Sequence, residues 1–337
     1  MVLGIKNITF LRRAFQIIAL ILIVYIGLIV TQLIAMNVLP PALSSEEIKD
    51  ATGPALLKDT SGKVEITGLY GPVKTCRYAQ GDAKLFTGCG LYFVSRNLTY
   101  LPPIEFIIPI IVFLLVVFFL FGRAWCGWIC PIGFFEEILN SARRFFGLRY
   151  REFSQGIKNF ILNLRYAFLA FIMLISLAIA LPAMIQFQKD LLVSGCQLCP
   201  ARFIFQLLAF KIPIFFSFDS AIITTFSLIG MLLTVLYLSS IIFRRPWCRI
   251  CPSGAMLSFF NRVSVLTKEK DLKKCTKCGI CRRFCLIQST ETYEEKEEEN
   301  INNANCIRCF RCVEHCPEKD CLKIKFAGKT IYSSKID

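Results

Sequence analysis

Eight cysteines near the C-terminus fall into two quartets of identical spacing. Cys275, Cys278, Cys281 and Cys285 form the first; Cys306, Cys309, Cys312 and Cys316, followed by Pro317, form the second. The pattern C-x2-C-x2-C-x3-C supplies thiolates for two [4Fe–4S] clusters, the fourth cysteine of each quartet ligating the other cluster. The expected sets are Cys275, Cys278, Cys281 and Cys316 for one cluster, and Cys306, Cys309, Cys312 and Cys285 for the other. Such clusters exchange single electrons. Cys321 is left over and reads as a small buried hydrophobe.

Further upstream, cysteines end two long apolar stretches. Arg123-Ala124-Trp125-Cys126-Gly127-Trp128-Ile129-Cys130-Pro131-Ile132-Gly133 matches Arg245-Pro246-Trp247-Cys248-Arg249-Ile250-Cys251-Pro252-Ser253-Gly254. Leu11-Arg12-Arg13-Ala14-Phe15 likewise matches Leu164-Arg165-Tyr166-Ala167-Phe168, and Asn140 and Asn261 occupy equivalent places after the motifs. One unit is used twice. Copies in the same orientation are related by an axis along the membrane normal. That axis would gather Cys126, Cys130, Cys248 and Cys251 on one face as the ligands of a third [4Fe–4S] cluster; Zn2+ ligands or bare thiols are the plainer alternative. Pro131 and Pro252 suit a first helical turn, whose N–H groups and positive dipole end would favour thiolate.

The same axis would bring Cys76, Cys89, Cys196 and Cys199 together on the opposite face. Twelve residues separate the first pair and two the second, so the repeat is imperfect there. A fourth cluster and disulfides such as Cys76 with Cys89 both stand as readings.

Long apolar helices must carry these sulfurs. Apolar runs at about 14–36, 104–122, 164–184 and 219–243 each approach the roughly 20 residues that a hydrocarbon core demands. Lys6, Arg12 and Arg13 precede the first; Arg123, Arg143, Arg144, Arg149, Arg151, Lys158 and Arg165 lie between the second and third; Arg244, Arg245, Arg249 and Arg262 follow the fourth. The outer loops 37–103 and 185–218 are nearly balanced in charge, so a multi-pass protein of the cytoplasmic membrane with both termini inside is expected. Residues 203–216, interrupted by Lys211 and Pro213, read as re-entrant or interfacial. Arg123 and Arg245 read as flanking positive-inside residues. The fold class is mostly α: a four-helix transmembrane bundle over 1–263, built from a duplicated two-span unit, then a small α+β domain over 264–337. Ser61–Val73 suggests a short hairpin in the outer loop.

Composition narrows the chemistry. A 55% apolar chain concentrated in long runs belongs with membrane proteins, and its net charge of +15 follows from the flanking arginines and lysines rather than from nucleic-acid binding. Its one histidine, His315, excludes bis-histidine haem within the chain, and no C-x-x-C-H attachment site exists. Neither G-x-G-x-x-G nor G-x-x-x-x-G-K-[ST] occurs, which leaves nicotinamide or nucleotide use without support. No Ser–His–Asp set or convincing carboxylate pair emerges. The acidic stretch Glu291 to Glu299 reads as a solvated loop.

The paired motifs Cys126–Gly133 and Cys248–Gly254, with the double quartet behind them, resemble the NapH/MauN group of membrane polyferredoxins. The membrane parts of NosR and CcoG are similar. The resemblance implies a four-span protein with a bacterial-type 2[4Fe–4S] ferredoxin domain, passing electrons between the quinone pool, cytoplasmic clusters and extracytoplasmic redox partners. This chain departs in lacking a proline after Cys285, in the shorter second membrane motif, and in its long first outer loop. The resulting expectation is an iron–sulfur electron relay, a component of a quinol dehydrogenase or other oxidoreductase complex, with membrane lipid, redox proteins and a quinone as partners. The rival reading is a redox-active assembly or maturation factor for a partner metalloenzyme, which would need the same ligands.

Overall fold

The computed structural model describes residues 7–24, 69–71, 86–100, 104–147, 149, 151, 154–181, 184, 191, 194–208, 221–289, 291–295 and 300–334. In the first unit α1 covers Ile8–Val24, β1 Leu69–Gly71, β2 Phe86–Cys89, α2 Gly90–Tyr100, α3 Ile104–Phe121, α4 Ala124–Trp128 and α5 Pro131–Phe145. In the second, α6 covers Gln155–Ile179, α7 Ser194–Gln197, α8 Ala201–Leu208, α9 Ala221–Leu238, α10 Pro246–Ile250 and α11 Pro252–Phe260. Beyond them lie β3 Leu266–Lys270, α12 Ile280–Phe284, α13 Glu291–Glu294, α14 Arg311–Glu314, β4 Leu322–Phe326 and β5 Lys329–Ser333. The chain is mostly helical.

Two helices, Gly156–Ile179 and Ala221–Ile241, are long and apolar enough to cross a membrane; Ile108–Phe121 is a shorter apolar helix. Their outer faces carry Leu174, Leu232 and Val235, each at least 60% exposed, whereas Ser176, Ser227 and Gly230 are buried. Small and polar residues inside with leucine outside is the pattern a hydrocarbon surround favours, because lipid gives no drive to bury leucine. Gly230 matters for this packing: a β-carbon there would meet the Gln197 carbonyl oxygen at 2.4 Å. The absence of a side chain lets α9 press against the segment carrying Cys196 and Cys199.

Several boundaries differ from expectation. α1 starts at Ile8, so Arg12 is a helical residue and not a flank; the remainder of the expected first span, 25–36, lies outside the described residues. α6 starts at Gln155, which places Arg165 inside the helix too. Of the segment 203–216, the part to Leu208 belongs to α8 and the rest lies outside the described residues. The expected hairpin at Ser61–Val73 is described only at Leu69–Gly71, which pairs in parallel with Phe86–Cys89.

The two units meet through their motifs. α10 and α11 pack on α6, α4 and α5 pack on α1, and the Tyr237 hydroxyl on α9 donates to the Ile132 carbonyl at 3.0 Å. The C-terminal sheet has the order β3-β4-β5, antiparallel throughout. Ala327 and Gly328, both at positive φ, make the tight turn between β4 and β5. Ile301, Phe310, Val313, Leu322, Ile324 and Tyr332 fill the small core beneath the sheet.

Candidate metal centres

Cys275, Cys278, Cys281 and Cys316 line a single cavity. Gly279, at φ +75°, turns the chain after Cys278 into α12, which carries Cys281. Cys278 is exposed. Cys321 lines the same cavity, held at the entry to β4 by its backbone N–H donating to Ser334 Oγ at 3.1 Å. Burial, together with Cys316 and Cys275 beside it, pushes the Cys321 thiol up to about 12. Sequence reasoning treated Cys321 as packing; it is buried, but it also faces four other sulfurs.

Cys285, Cys306, Cys309 and Cys312 are mutual neighbours. Burial, reinforced by the surrounding sulfurs, pushes Cys285 up to about 11; Cys312 is also raised by burial, to about 12, against the opposing pull of Lys268. The buried Lys268 reaches toward them from β3, its Nζ 3.7 Å from Cys306 Sγ and 3.9 Å from Cys312 Sγ. Burial disfavours its charge, but the sulfurs of Cys306 and Cys312 outweigh that and raise its pKa. Backbone N–H groups of Ser289 and Arg308 point at Cys285 Sγ and Cys306 Sγ at 3.2 and 3.4 Å. A buried cation and amide donors aimed at sulfur suit thiolates carrying negative charge, as cluster ligation requires.

In the duplicated motifs, Cys126 lies near Cys251 and Cys248 near Cys130. All four are buried, and they share one core cluster with Cys309 and Cys285. Helices α5 and α11 begin at Pro131 and Pro252, directly after Cys130 and Cys251. Among the described residues no three Cys, His, Asp or Glu side chains close on one point as a single metal ion needs. A lone Zn2+ draws four ligands to about 2.0–2.3 Å of itself; a four-iron cluster is a larger body whose ligands stand apart. The donor set, all sulfur with buried cations near it, fits the cluster better than the ion.

Two carboxylates escaped the sequence reading. Glu136 accepts hydrogen bonds from the Trp247 backbone N–H at 2.8 Å and from Cys248 Sγ at 3.0 Å, and burial pushes its carboxyl up to about 7. Glu137 accepts from Arg12 Nη1 and Arg245 Nη2, both at 2.8 Å. Burial opposes its ionisation, but Arg245 and Arg12 prevail and hold it down at about 2. An acidic pair directly behind a Cys-Pro motif was the available signal. Its partners, far away in the chain, were not visible. Arg123 and Arg245 are correspondingly not mere flanking charges: both are almost fully buried. Arg245 serves Glu137, while Arg123 donates to the carbonyls of Ala304, Asn305 and Cys248 at 3.0–3.1 Å.

The C-terminal sites dock on both motifs. Gly127 lies so close to the Ile307 carbonyl that only glycine fits, Trp128 Nε1 donates to the Arg308 carbonyl at 3.0 Å, and Asn261 Nδ2 donates to the Cys306 carbonyl at 2.9 Å. On the other motif, Arg249 Nη2 donates to Gln288 Oε1 at 2.6 Å and Arg244 Nη1 to the Arg283 carbonyl at 2.5 Å. The loop bearing Cys306 therefore touches both halves of the duplicated unit, through Trp128 of the first and Asn261 of the second, and the loop bearing Cys285 sits on the second. His315 stacks on Phe284 with ring centroids 3.8 Å apart. Of the acidic stretch, Glu291 accepts from Asn305 Nδ2 at 2.6 Å, and 296–299 lie outside the described residues.

Elsewhere in the same core, Cys89 ends β2 just before α2, and Cys199 precedes α8. Both are buried, with Cys196 packed against the same core; Cys76 lies outside the described residues. No disulfide joins any described cysteine.

Comparison with known proteins decides the chemical class. A family model described as a 4Fe-4S binding domain matches twice, over residues 103–149 and 223–270, and a 4Fe-4S dicluster domain matches 267–317. The chain carries iron–sulfur domains. The double match falls on the two copies recognised from their motifs. Among relatives, the uncharacterized protein MJ0750 of Methanocaldococcus jannaschii is 27% identical over 55% of this chain and 68% of its own length. YccM of Escherichia coli, named for electron transport, is 26% identical over 52% of this chain and 44% of its own. The regulatory protein NosR of Stutzerimonas stutzeri is 27% identical over 53% of this chain and 23% of its own. The match thus spans less than half the length of the last two. No solved structure matches. Iron–sulfur electron transfer is the function these likenesses support; the narrower NapH/MauN likeness is a matter for proposal.

Proposed function

We propose that this protein is an integral membrane electron relay of the NapH/MauN kind, with four spans and both termini on the cytoplasmic side. Electrons would pass between a cytoplasmic redox protein, the dicluster domain, a further centre at Cys126, Cys130, Cys248 and Cys251, and a quinone or an extracytoplasmic partner. One observation carries the reading: the loops bearing Cys306 and Cys285 are fastened directly onto the two membrane motifs, without an intervening linker. A [4Fe–4S] cluster supplies one-electron exchange wherever it is bound.

The chain's own residues provide the rest. Lys268, Arg245 and Arg123 place buried positive charge beside the sulfurs, Glu136, when protonated, would donate to the ligating Cys248 sulfur beside it, and the core shared by both motifs excludes water. For a quinone, an apolar cavity of about 430 Å3 opens between α1, the first motif and the sheet, lined by Phe15, Phe121, Trp125, Trp128, Phe310 and Tyr332.

Anaerobic iron and sulfide analysis with redox-titrated EPR on the full chain tests the relay. At least three [4Fe–4S] centres are expected. Two alone would remove the membrane centre from the account.

A further inference from the structure

The duplication predicts a symmetric charge arrangement, and the molecule breaks it at one place. In the first half, Glu137 lies between Arg12 of its own copy and Arg245 of the other. The axis that exchanges the copies maps Arg12 to Arg165, Arg245 to Arg123, and Glu137 to Ser258, the residue equally far beyond its Cys-Pro motif. The backbone obeys the symmetry: a β-carbon on Gly133 would meet Arg245 Nη1 at 3.4 Å, and one on the equivalent Gly254 would meet Arg123 Nη2 at 3.1 Å. The two arginines are thus kept and the carboxylate is gone.

Neutral groups fill only part of the gap. Arg165 Nη2 donates to the Tyr166 hydroxyl at 2.7 Å, which shares a hydrogen bond with Ser258 Oγ at 2.9 Å. Arg165 is 2% exposed, its Nε has no acceptor, and Arg123 stands close enough to repel its charge, which Glu291 attracts only from beyond ion-pair distance. Among the described residues neither arginine has a carboxylate within ion-pair distance. A buried cation left unpaired is costly. Beside them opens a cavity of about 260 Å3, lined by Arg123, Lys158, Arg165 and Arg249, and by the carboxylates Glu291 and Glu294. Glu291 is engaged by Asn305 and Ser289.

We propose that this cavity binds an oxyanion, a phosphate or carboxylate group, which takes between Arg123 and Arg165 the place that Glu137 takes between Arg245 and Arg12. Guanidinium forks recognise such groups through paired N–H bonds. The site adjoins Cys248, so its occupant would bring negative charge next to the membrane motif. It stands on charge symmetry and not on cluster content, so it survives if the third centre is absent.

Thermal unfolding of the full chain in detergent tests it, with inorganic phosphate against chloride at equal ionic strength, and with phosphatidylglycerol against phosphatidylcholine doped into the micelles. A rise in midpoint with phosphate alone identifies a soluble oxyanion, and a rise with phosphatidylglycerol identifies a lipid headgroup; either supports the site. Arg165→Gln should weaken the response about tenfold or more in ligand concentration, yet be no less stable than the parent without ligand, because it relieves an unpaired charge. Arg12→Gln, which takes from the buried Glu137 one of its two arginine partners and leaves it Arg245 alone, should be destabilised. Ser258→Glu should restore the internal carboxylate and abolish the response. No response of the parent in either arm, an equal response in Arg165→Gln, or equal damage from Arg165→Gln and Arg12→Gln would each overturn the proposal.

Discussion

Lys268 Nζ stands 3.7 Å from the sulfur of Cys306 in a fully buried setting. Its charge favours an added electron nearby. Lys268→Met should therefore lower the reduction potential of the centre at Cys285, Cys306, Cys309 and Cys312, and leave the outer one at Cys275 little changed. Redox-titrated EPR reads both, and equal potentials in parent and variant would count against it.

A β-carbon on Gly127 would come within 2.4 Å of the Ile307 carbonyl oxygen. Backbone cannot move aside as a side chain can, so Gly127→Ala should cost about 1–3 kcal/mol, the usual penalty of overpacking. Gly156→Ala, which meets nothing within 4 Å, is the control and should be neutral or slightly stabilising. A lowered unfolding midpoint for the first alone is expected.

Glu137→Gln leaves Arg12 and Arg245 buried and facing one another, and should cost about 3–5 kcal/mol. The acid response carries a sign. The folded carboxyl titrates at about 2 against an ordinary 4.5, so its contribution is complete above pH 4.5 and is lost as pH falls toward 2. That contribution is on the order of 3 kcal/mol. Denaturant midpoints measured between pH 5 and 2 should fall more steeply for the parent than for the variant.

Cys126→Ala or Cys251→Ala should remove about four irons per chain, one cluster's worth, while the signals of the dicluster domain persist. Unchanged iron in both variants would detach the duplicated motifs from cluster binding.

For the remaining cysteines, Cys76→Ser and Cys196→Ser separate a fourth cluster from disulfides. Loss of one cluster in both variants establishes a shared centre there. Altered thiol mapping with full iron content establishes disulfide chemistry instead.

The cysteine spacings and the repeat were legible because both are local patterns, and the double family match falls on the same two stretches. Helices α3 and α9 were legible through their length of apolar residues. The role of the arginines was not. Arg12, Arg123, Arg165 and Arg245 look in the chain like flanks of spans, since sequence displays a charge without its partner. Arg12 finds Glu137 across 125 residues and Arg123 finds Asn305 across 182. Cys321 is the small buried hydrophobe its sequence position suggested, and the fold adds which other sulfurs share its cavity.

Asn261 and Asn140 hold equivalent places in the two copies but have parted company. Asn261 accepts the Arg123 N–H and reaches the Cys306 carbonyl, whereas Asn140 accepts from Arg143 on its own helix. The order of the halves along the gene is consequently not interchangeable. A permuted chain with the second half placed first would hand the trailing domain a socket cut for a different plug.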